Sequence, residues 1–257
     1  MRVVCVPVLD DNFSYLLIDS SGVAAAIDPA QPKKVITAAL KENVEVSRVL
    51  TTHKHTDHAG GNNAIASMIP GIDIVGGENE WVQGCTSTVR DGDVISVGSI
   101  SVRCIHTPGH TMGHMCYYAT EGDEKVVFTG DTLFIGGAGR FFEGTPQDMQ
   151  YSLMEKLGTL PPETLVYCGH EYTAANYKFA LRVEAGNAEL QKEAKRVSQA
   201  LEKGHHSVPS TIGKELATNP FMRAHVRSLQ AQTGLGPGAS AASHLGMIRE
   251  MKNSFRG

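Results

Sequence analysis

The feature that most constrains this chain is a run of metal-binding side chains that directly follows an apolar segment. Residues 46–52 are predicted to form a buried strand, and His53, His55, Asp57 and His58 then fall within six positions. Alternate residues of an extended chain share a face, so His53 and His55 point the same way. Asp57 and His58 diverge from them as the chain turns into a helix. The run therefore predicts two pairs of ligands aimed at two adjacent points.

Three further candidate ligands occupy the same kind of position later in the chain. His110, Asp131 and His170 each follow a hydrophobic strand that gives way to a glycine-containing loop. Functional groups on a rigid scaffold are often found at such places. Imidazole and carboxylate ligands suit zinc, iron and manganese, whereas a closed structural site more often uses cysteine thiolates. The pattern predicts an open, catalytic metal site.

Composition narrows the class of protein. The chain is 41% hydrophobic and 19% charged with a net charge of −4, which is typical of a globular protein and lacks the positive field of a nucleic-acid-binding protein. The five cysteines are scattered and include no Cys-x-x-Cys pair, which favours free thiols in a reducing compartment. No apolar stretch approaches the roughly 18 residues of a membrane span, and the N-terminus does not resemble a signal peptide. We expect a cytoplasmic protein.

The chain changes character near residue 170. Before it, short β-rich runs, of which the first three predict an antiparallel meander, alternate with predicted helices near residues 32–43 and 146–157. After it, no convincing strand remains, and helices are predicted over residues 172–203, with a break at Gly186, and over 240–255. We therefore predict two domains, an α/β part over residues 1–170 and a helical part over residues 171–257.

The ligand pattern resembles the His-x-His-x-Asp-His signature of the metallo-β-lactamase superfamily, with its later His, Asp and His. Within that superfamily the chain is similar to glyoxalase II, the hydroxyacylglutathione hydrolases, through residues 139–145, 169–173 and 219–223. Since the last of these segments lies in the helical tail, the resemblance covers essentially the whole chain. It implies an α+β fold, in which a four-layer αββα metallo-β-lactamase sandwich is followed by a smaller all-helical C-terminal domain that binds the glutathione substrate.

The resemblance also implies two divalent metal ions and their ligands. One ion would be held by His53, His55 and His110, the other by Asp57, His58 and His170, and both by Asp131. Zinc is expected, with iron or manganese as alternatives, because this ligand set accepts all three. A hydroxide held by the two ions would hydrolyse S-D-lactoylglutathione to glutathione and D-lactate, the second step of methylglyoxal detoxification. Asp57 and Asp131 are the predicted catalytic residues.

The implied substrate-binding residues are Arg140, Phe142, Tyr172, Arg249 and Lys252. Arg249 and Lys252 are three positions apart on a predicted helix, so they face the same side and suit one carboxylate of glutathione. Arg140 stands where many family members have Lys. The charge is kept, but a guanidinium group that can donate two parallel hydrogen bonds replaces the single ammonium group. Phe142 stands where some members have Tyr, which removes one polar contact. We expect a small-molecule substrate, no nucleic-acid or membrane partner, and a monomer.

Other interpretations stay open at this point. A glutathione persulfide dioxygenase with a single iron resembles this chain around the metal motif and also acts on a glutathione derivative. The intact second set of ligands and the basic helical tail favour hydrolysis instead. A nuclease of the same superfamily is disfavoured by the acidic net charge. A catalytically silent binding protein is expected to have lost ligands, whereas all seven positions are filled here.

Overall fold

A computed structural model describes residues 1–256, which fall into two compact units. The first consists of Met1–His106 and Thr111–Gly130, and the second of Thr107–His110 and the chain from Asp131 onward. The main division between the units falls after Gly130, whereas the boundary predicted at residue 170 marks a change of composition. That boundary stays a prediction. Within the described residues, no helix is long and apolar enough to cross a membrane.

The first unit begins with a six-stranded sheet, in the order β1 to β6. Its elements along the chain are β1 (Arg2–Val8), β2 (Asn12–Ile18), β3 (Val23–Ile27), α1 (Pro32–Glu42), β4 (Glu45–Leu50), α2 (Thr56–Ala59), α3 (Asn62–Met68), β5 (Asp73–Gly77) and β6 (Ser87–Val89). Strands β1, β2 and β3 form the predicted antiparallel meander. Strands β3 to β6 then pair in parallel, so that β3, β4 and β5 end at the same edge of the sheet.

Four antiparallel strands of the same unit make a second layer. They are β7 (Val94–Val97), β8 (Ile100–His106), β9 (Met115–Glu121) and β10 (Glu124–Gly130). The rings of Tyr15 on β2 and Phe128 on β10 lie 5.5 Å apart between the layers, and the Tyr117 hydroxyl donates to the carbonyl of Thr51 at 2.8 Å. Burial raises the pKa of Tyr117 well above its usual value, which keeps this hydroxyl a donor.

Helices cover the other face of the first sheet. Val35 and Ala39 of α1 and Ile65 of α3 are buried against outward-facing residues such as Leu16 and Ile74. Because β2 is buried on both faces, residues 15–18 in its second half are continuously apolar rather than alternating. The first unit therefore has three layers: helices, the six-stranded sheet and the antiparallel strands. Its core fixes the end of β4, after which the predicted ligands of residues 53–58 follow.

The second unit is mostly helical. Its elements are β11 (Leu133–Phe134), β12 (Gly137–Ala138), α4 (Pro146–Gln150) with a π-helical continuation (Tyr151–Leu157), β13 (Leu165–Cys168), α5 (Thr173–Val183), α6 (Ala188–Glu202), β14 (Ser210–Thr211), α7 (Ile212–Thr218), α8 (Arg227–Gln230) and α9 (Ala241–Ser254). The predicted break at Gly186 is confirmed, since the Asn187 side chain caps α6 by accepting from the Leu190 N–H at 3.1 Å. The expectation of no strand after Cys168 is wrong: β14 pairs with β13, and two residues are too short to leave a pattern.

A buried amide holds the β11–β12 hairpin in place. The Asn219 side chain donates to the carbonyls of Phe134 at 3.1 Å and Gly137 at 2.9 Å, and also to Glu215 at 3.0 Å. Glu215 in turn accepts from the Gly136 N–H at 2.8 Å. Burial raises the pKa of this fully buried carboxyl. The family-like segment around Asn219 thus serves the structure, because it fixes the hairpin that carries Phe134.

We expect Asn219→Ala to destabilise the fold by about 2 to 4 kcal/mol, because two buried carbonyls lose their donor. Urea unfolding would measure this loss. The exposed Asn253→Ala on α9 is the matched control and should change the free energy of unfolding by less than about 0.5 kcal/mol. Equal stability of the two variants would show that the hairpin does not depend on this amide.

Candidate metal centre and substrate cavity

Four of the predicted ligands follow β4 in the first unit. His53 is fully buried, and its Nε2 lies 3.0 Å from Nδ1 of His55. The chain then turns into α2, which carries Asp57 and His58 with 3.5 Å between Asp57 Oδ2 and His58 Nε2. The structure thus brings each pair of side chains together at the end of a buried strand.

A buried carboxylate orients two of these histidines. Asp28 Oδ1 accepts from the Thr52 N–H at 2.7 Å, and its Oδ2 accepts from the Thr52 hydroxyl at 2.6 Å. Nδ1 of His53 lies 3.0 Å from the Thr52 hydroxyl oxygen, and Nδ1 of His58 lies 2.8 Å from Asp28 Oδ2. Since both partners of the Nδ1 atoms act as acceptors, each ring keeps its Nε2 lone pair for a metal.

Sequence reasoning did not identify Asp28, nor Asn12, whose side chain donates to Asp57 Oδ2 at 3.0 Å. A signal for Asp28 was available. It follows β3, which pairs in parallel with β4, and the carboxyl ends of parallel strands meet at one edge where ligands commonly bind. Asn12 lies at the start of an antiparallel strand, and no sequence pattern marks it.

The other three predicted ligands belong to the second unit, and all three are buried. Asp131 Oδ2 lies 3.5 Å from Nε2 of His110 and 3.4 Å from Nε2 of His170. Nδ1 of His110 donates to the carbonyl of Arg140 at 2.9 Å, which turns Nε2 toward Asp131. The His170 ring stacks on Tyr172 with 4.6 Å between centroids. The carboxylate of Asp131 is therefore shared by two oriented imidazoles.

Glycines allow the backbone to approach these ligands closely. A Cβ on Gly139 would overlap the carbonyl oxygen of Asp131 and lie 3.0 Å from Nδ1 of His110. A Cβ on Gly144 would lie 2.6 Å from Cα of Gly109, to whose carbonyl the Gly144 N–H donates at 3.0 Å. The glycine-rich loop over residues 139–144 is thus required by packing against the His110 turn.

The donor set fits divalent metal ions. All seven predicted ligands belong to groups of His and Asp side chains that could hold a metal ion. Two ligand atoms about 2.1 Å from a tetrahedral ion lie about 3.4 Å apart, close to the separations at Asp57 and Asp131. The neighbouring Cys168 is buried, and desolvation raises its pKa to about 12, so it stays a thiol. These residues suit an imidazole and carboxylate site without thiolate.

A cavity of about 380 Å³ in the second unit contains two of these ligands, His110 and Asp131. Its wall also includes all five predicted substrate-binding residues, Arg140, Phe142, Tyr172, Arg249 and Lys252. Phe142 is 61% exposed, and its ring centroid lies 5.2 Å from that of His110. The cavity therefore joins metal-binding groups, aromatic walls and cations in one space.

The two cations of α9 have backbone and aromatic neighbours but form no ion pair within residues 1–256, although the charge of Glu250 acts on Arg249 from farther away. Nη1 of Arg249 donates to the Ala138 carbonyl at 2.8 Å, while its buried Nε has no hydrogen-bond partner. Burial, and then repulsion by Arg140, lowers the pKa of Arg249 to about 10. Nζ of Lys252 donates to the Ala175 carbonyl at 2.9 Å, and burial, followed by Arg249, lowers its pKa to about 8. Desolvated cations without a counter-ion favour an anionic ligand.

Comparison with known proteins identifies two family models along the chain. The metallo-β-lactamase superfamily matches residues 8–170, and the C-terminus of hydroxyacylglutathione hydrolase matches residues 171–255. The chain is 45% identical over 261 residues to the cytoplasmic hydroxyacylglutathione hydrolase of Arabidopsis thaliana, with 100% of both chains covered. It is 41% identical over 270 residues to the hydroxyacylglutathione hydrolase of Dictyostelium discoideum, with 99% of this chain and 100% of the relative covered.

Solved structures share the fold. ETHE1 from Myxococcus xanthus has a TM-score of 0.67 at 26% identity, covering 98% of this chain and 100% of its own. The BLEG-1 B3 metallo-β-lactamase has a TM-score of 0.66 at 21% identity, covering 86% of this chain and 99% of its own. The predicted metallo-β-lactamase fold with a helical C-terminal domain is confirmed. Since relatives above 40% identity match along their full lengths, the chain belongs to the hydroxyacylglutathione hydrolase family of the metallo-β-lactamase superfamily.

Proposed function

We propose that the chain hydrolyses S-D-lactoylglutathione, and related 2-hydroxyacyl thioesters of glutathione, to glutathione and D-lactate. The observation that carries this proposal is the cavity that His110 and Asp131 line together with Arg249 and Lys252, two cations that form no ion pair within residues 1–256. A thioester carbonyl would lie against the metal-binding end, and a peptide carboxylate against the cationic end. The full-length relatives named hydroxyacylglutathione hydrolase support the same reaction.

The proposal includes a metal centre of two divalent ions. One would be held by His53, His55 and His110, the other by Asp57, His58 and His170, and both by Asp131. Zinc suits these donors best, and iron and manganese are alternatives. When bound, such ions lower the pKa of a coordinated water and polarise the substrate carbonyl.

Residues of the chain supply orientation at the reacting centre. Asp57 would accept a hydrogen bond from the attacking water, and Asn12 fixes its carboxylate by donating at 3.0 Å. Asp28 fixes the ring of His58 at 2.8 Å and, through Thr52, that of His53. Such hydrogen bonds to metal ligands commonly change metal affinity or activity 10- to 100-fold.

The remaining residues would bind the glutathione moiety. Arg249 and Lys252 would bind its glycine carboxylate, which replaces the water that both cations have lost. Tyr172, stacked on His170, and Phe142 would form walls around the sulfur. The thiolate is a good leaving group and needs little help from the protein. Contacts with the peptide are equal in the ground state and the transition state, so they mainly set KM rather than the rate of the chemical step.

We place the protein in the cytoplasm. The Arabidopsis relative is named as cytoplasmic, and the five cysteines form no disulfide within residues 1–256, which suits a reducing compartment. The reaction proposed needs a small-molecule substrate only, and the monomeric state stays a prediction.

We expect the purified protein, loaded with zinc, to hydrolyse S-D-lactoylglutathione, followed by the loss of thioester absorbance. Asp131→Ala should lower both bound metal and activity at least about 100-fold, because a ligand of both ions is lost. Absence of hydrolysis with two metal ions bound per chain would contradict the proposal. Oxygen consumption with glutathione persulfide would support the single-iron dioxygenase instead.

Lys252→Ala should raise KM about 10-fold and leave kcat within about twofold. A charge-assisted hydrogen bond to the substrate carboxylate is lost equally from the ground state and the transition state. Lys178→Ala, an exposed lysine on α5, is the matched control and should leave both constants unchanged. A fall in kcat at unchanged KM would exclude a role for Lys252 in carboxylate binding.

The pH dependence of KM should report the same lysine. Because burial lowers the pKa of Lys252 to about 8, its charge is present below that pH and is lost as the pH rises through it. KM should therefore be constant up to about pH 7 and rise above pH 8 toward a plateau about 10-fold higher, the factor expected for Lys252→Ala. Lys252→Arg keeps its charge throughout this range, so its KM should stay flat. An equal rise in both proteins would assign the effect to another group.

A further inference from the structure

A second cavity of about 550 Å³ adjoins the first within the second unit. It lies between the loop before α4 and one face of α9. Arg140, Phe142 and Arg249 line both cavities, so that these three side chains form the wall between them. The family-like contacts described above use only the first cavity.

The part of α9 that lines this groove carries charges of both signs. Gly246, Arg249, Glu250 and Asn253 line the groove at helical positions i, i+3, i+4 and i+7, which share one face. A Cβ on Gly246 would lie 2.9 Å from Cγ of Pro146, so the glycine lets α9 pack closely against the start of α4. The groove is therefore narrow where Gly246 meets Pro146, and Arg249 and Glu250 line it farther along the helix.

Two opposite charges in the groove, on Arg140 and Glu250, act on Arg249 through space but form no side-chain hydrogen bond or ion pair within residues 1–256. Arg140 uses only its carbonyl, toward His110, and the Glu250 carboxylate makes no hydrogen bond or ion pair within residues 1–256. Arg140 and Glu250 line the groove together with Arg249. Burial lowers the pKa of Arg249 most, Arg140 lowers it further, and Glu250 raises it. The groove thus offers one cation and one anion to a ligand.

Glutathione carries charges that match this arrangement. Its glycine end has one carboxylate, which Arg249 and Lys252 would bind in the first cavity. Its γ-glutamyl end has an α-carboxylate and an α-ammonium group on the same carbon. The first cavity, at about 380 Å³, is near the lower end of the range for small-molecule sites and must also contain the acyl group and the sulfur.

We propose that the groove between Arg140 and α9 binds the γ-glutamyl end of the substrate, with Arg140 on its α-carboxylate and Glu250 accepting from its α-ammonium group. The inference rests on the proposed function. It makes Glu250 a specificity residue that distinguishes a free γ-glutamyl amino group from a thiol carrier without one. Because both charges lie near the protein surface, the expected effect is a few-fold in KM rather than a loss of catalysis.

The test compares S-D-lactoylglutathione with its N-acetyl derivative, in which the ammonium charge is removed. The wild-type enzyme should show a KM about three- to fivefold higher for the N-acetyl thioester. Glu250→Gln should raise KM for S-D-lactoylglutathione by the same factor and leave that for the N-acetyl thioester unchanged. Glu155→Gln, an exposed glutamate of the π-helical segment, is the matched control and should behave as wild type.

Two results would overturn the inference while leaving the proposed function intact. One is equal KM values of the wild-type enzyme for both thioesters. The other is a Glu250→Gln variant whose KM rises equally for both. If the metal-loaded wild-type enzyme hydrolyses neither thioester, the proposed function itself is contradicted, and the subsite with it.

Discussion

The arrangement of this site depends on the need of buried imidazoles and carboxylates for a shared cation. Asp131 Oδ2 faces two histidine nitrogens at 3.4 and 3.5 Å, which is long for a hydrogen bond. These separations fit ligand atoms that share one metal ion better than direct hydrogen bonds. Asp28, Thr52 and the Arg140 carbonyl accept hydrogen bonds from the histidine Nδ1 atoms, which leaves the Nε2 atoms available for such a cation. We therefore regard the metal centre as the feature that the surrounding loops are built to hold.

Substrate recognition depends in the same way on buried charges, here two cations that an anionic group of the substrate would stabilise. Burial disfavours the charged forms of Arg249 and Lys252, whose pKa values fall to about 10 and 8, and a substrate carboxylate would restore the lost stabilisation. The fold keeps both cations in place through backbone carbonyls and aromatic rings rather than acidic side chains. The family-like residues of the C-terminal part therefore have two roles: Arg249 and Lys252 line the cavity, and Asn219 holds the β11–β12 hairpin in place.

Much of this could be predicted from the sequence, because strands and helices are local patterns. The meander, the main helices and the ligand run after β4 depend on spacing alone. Asn12 could not be assigned, since its partner Asp57 lies 45 positions away and no pattern marks it. Asp28 lies 30 positions from His58, and only its place after β3 indicates that it belongs to the site. The free Nε of Arg249 and the charges of Arg140 and Glu250 beside it are likewise results of tertiary packing.

Anomalous X-ray scattering from crystals of the zinc-loaded protein would show whether the chain holds two metal ions at this site. We expect two metal peaks per chain, both within bonding distance of the Asp131 carboxylate, one also bound by His110 and the other by His170. A single peak that Asp131 does not contact, or two peaks elsewhere on the chain, would contradict this expectation.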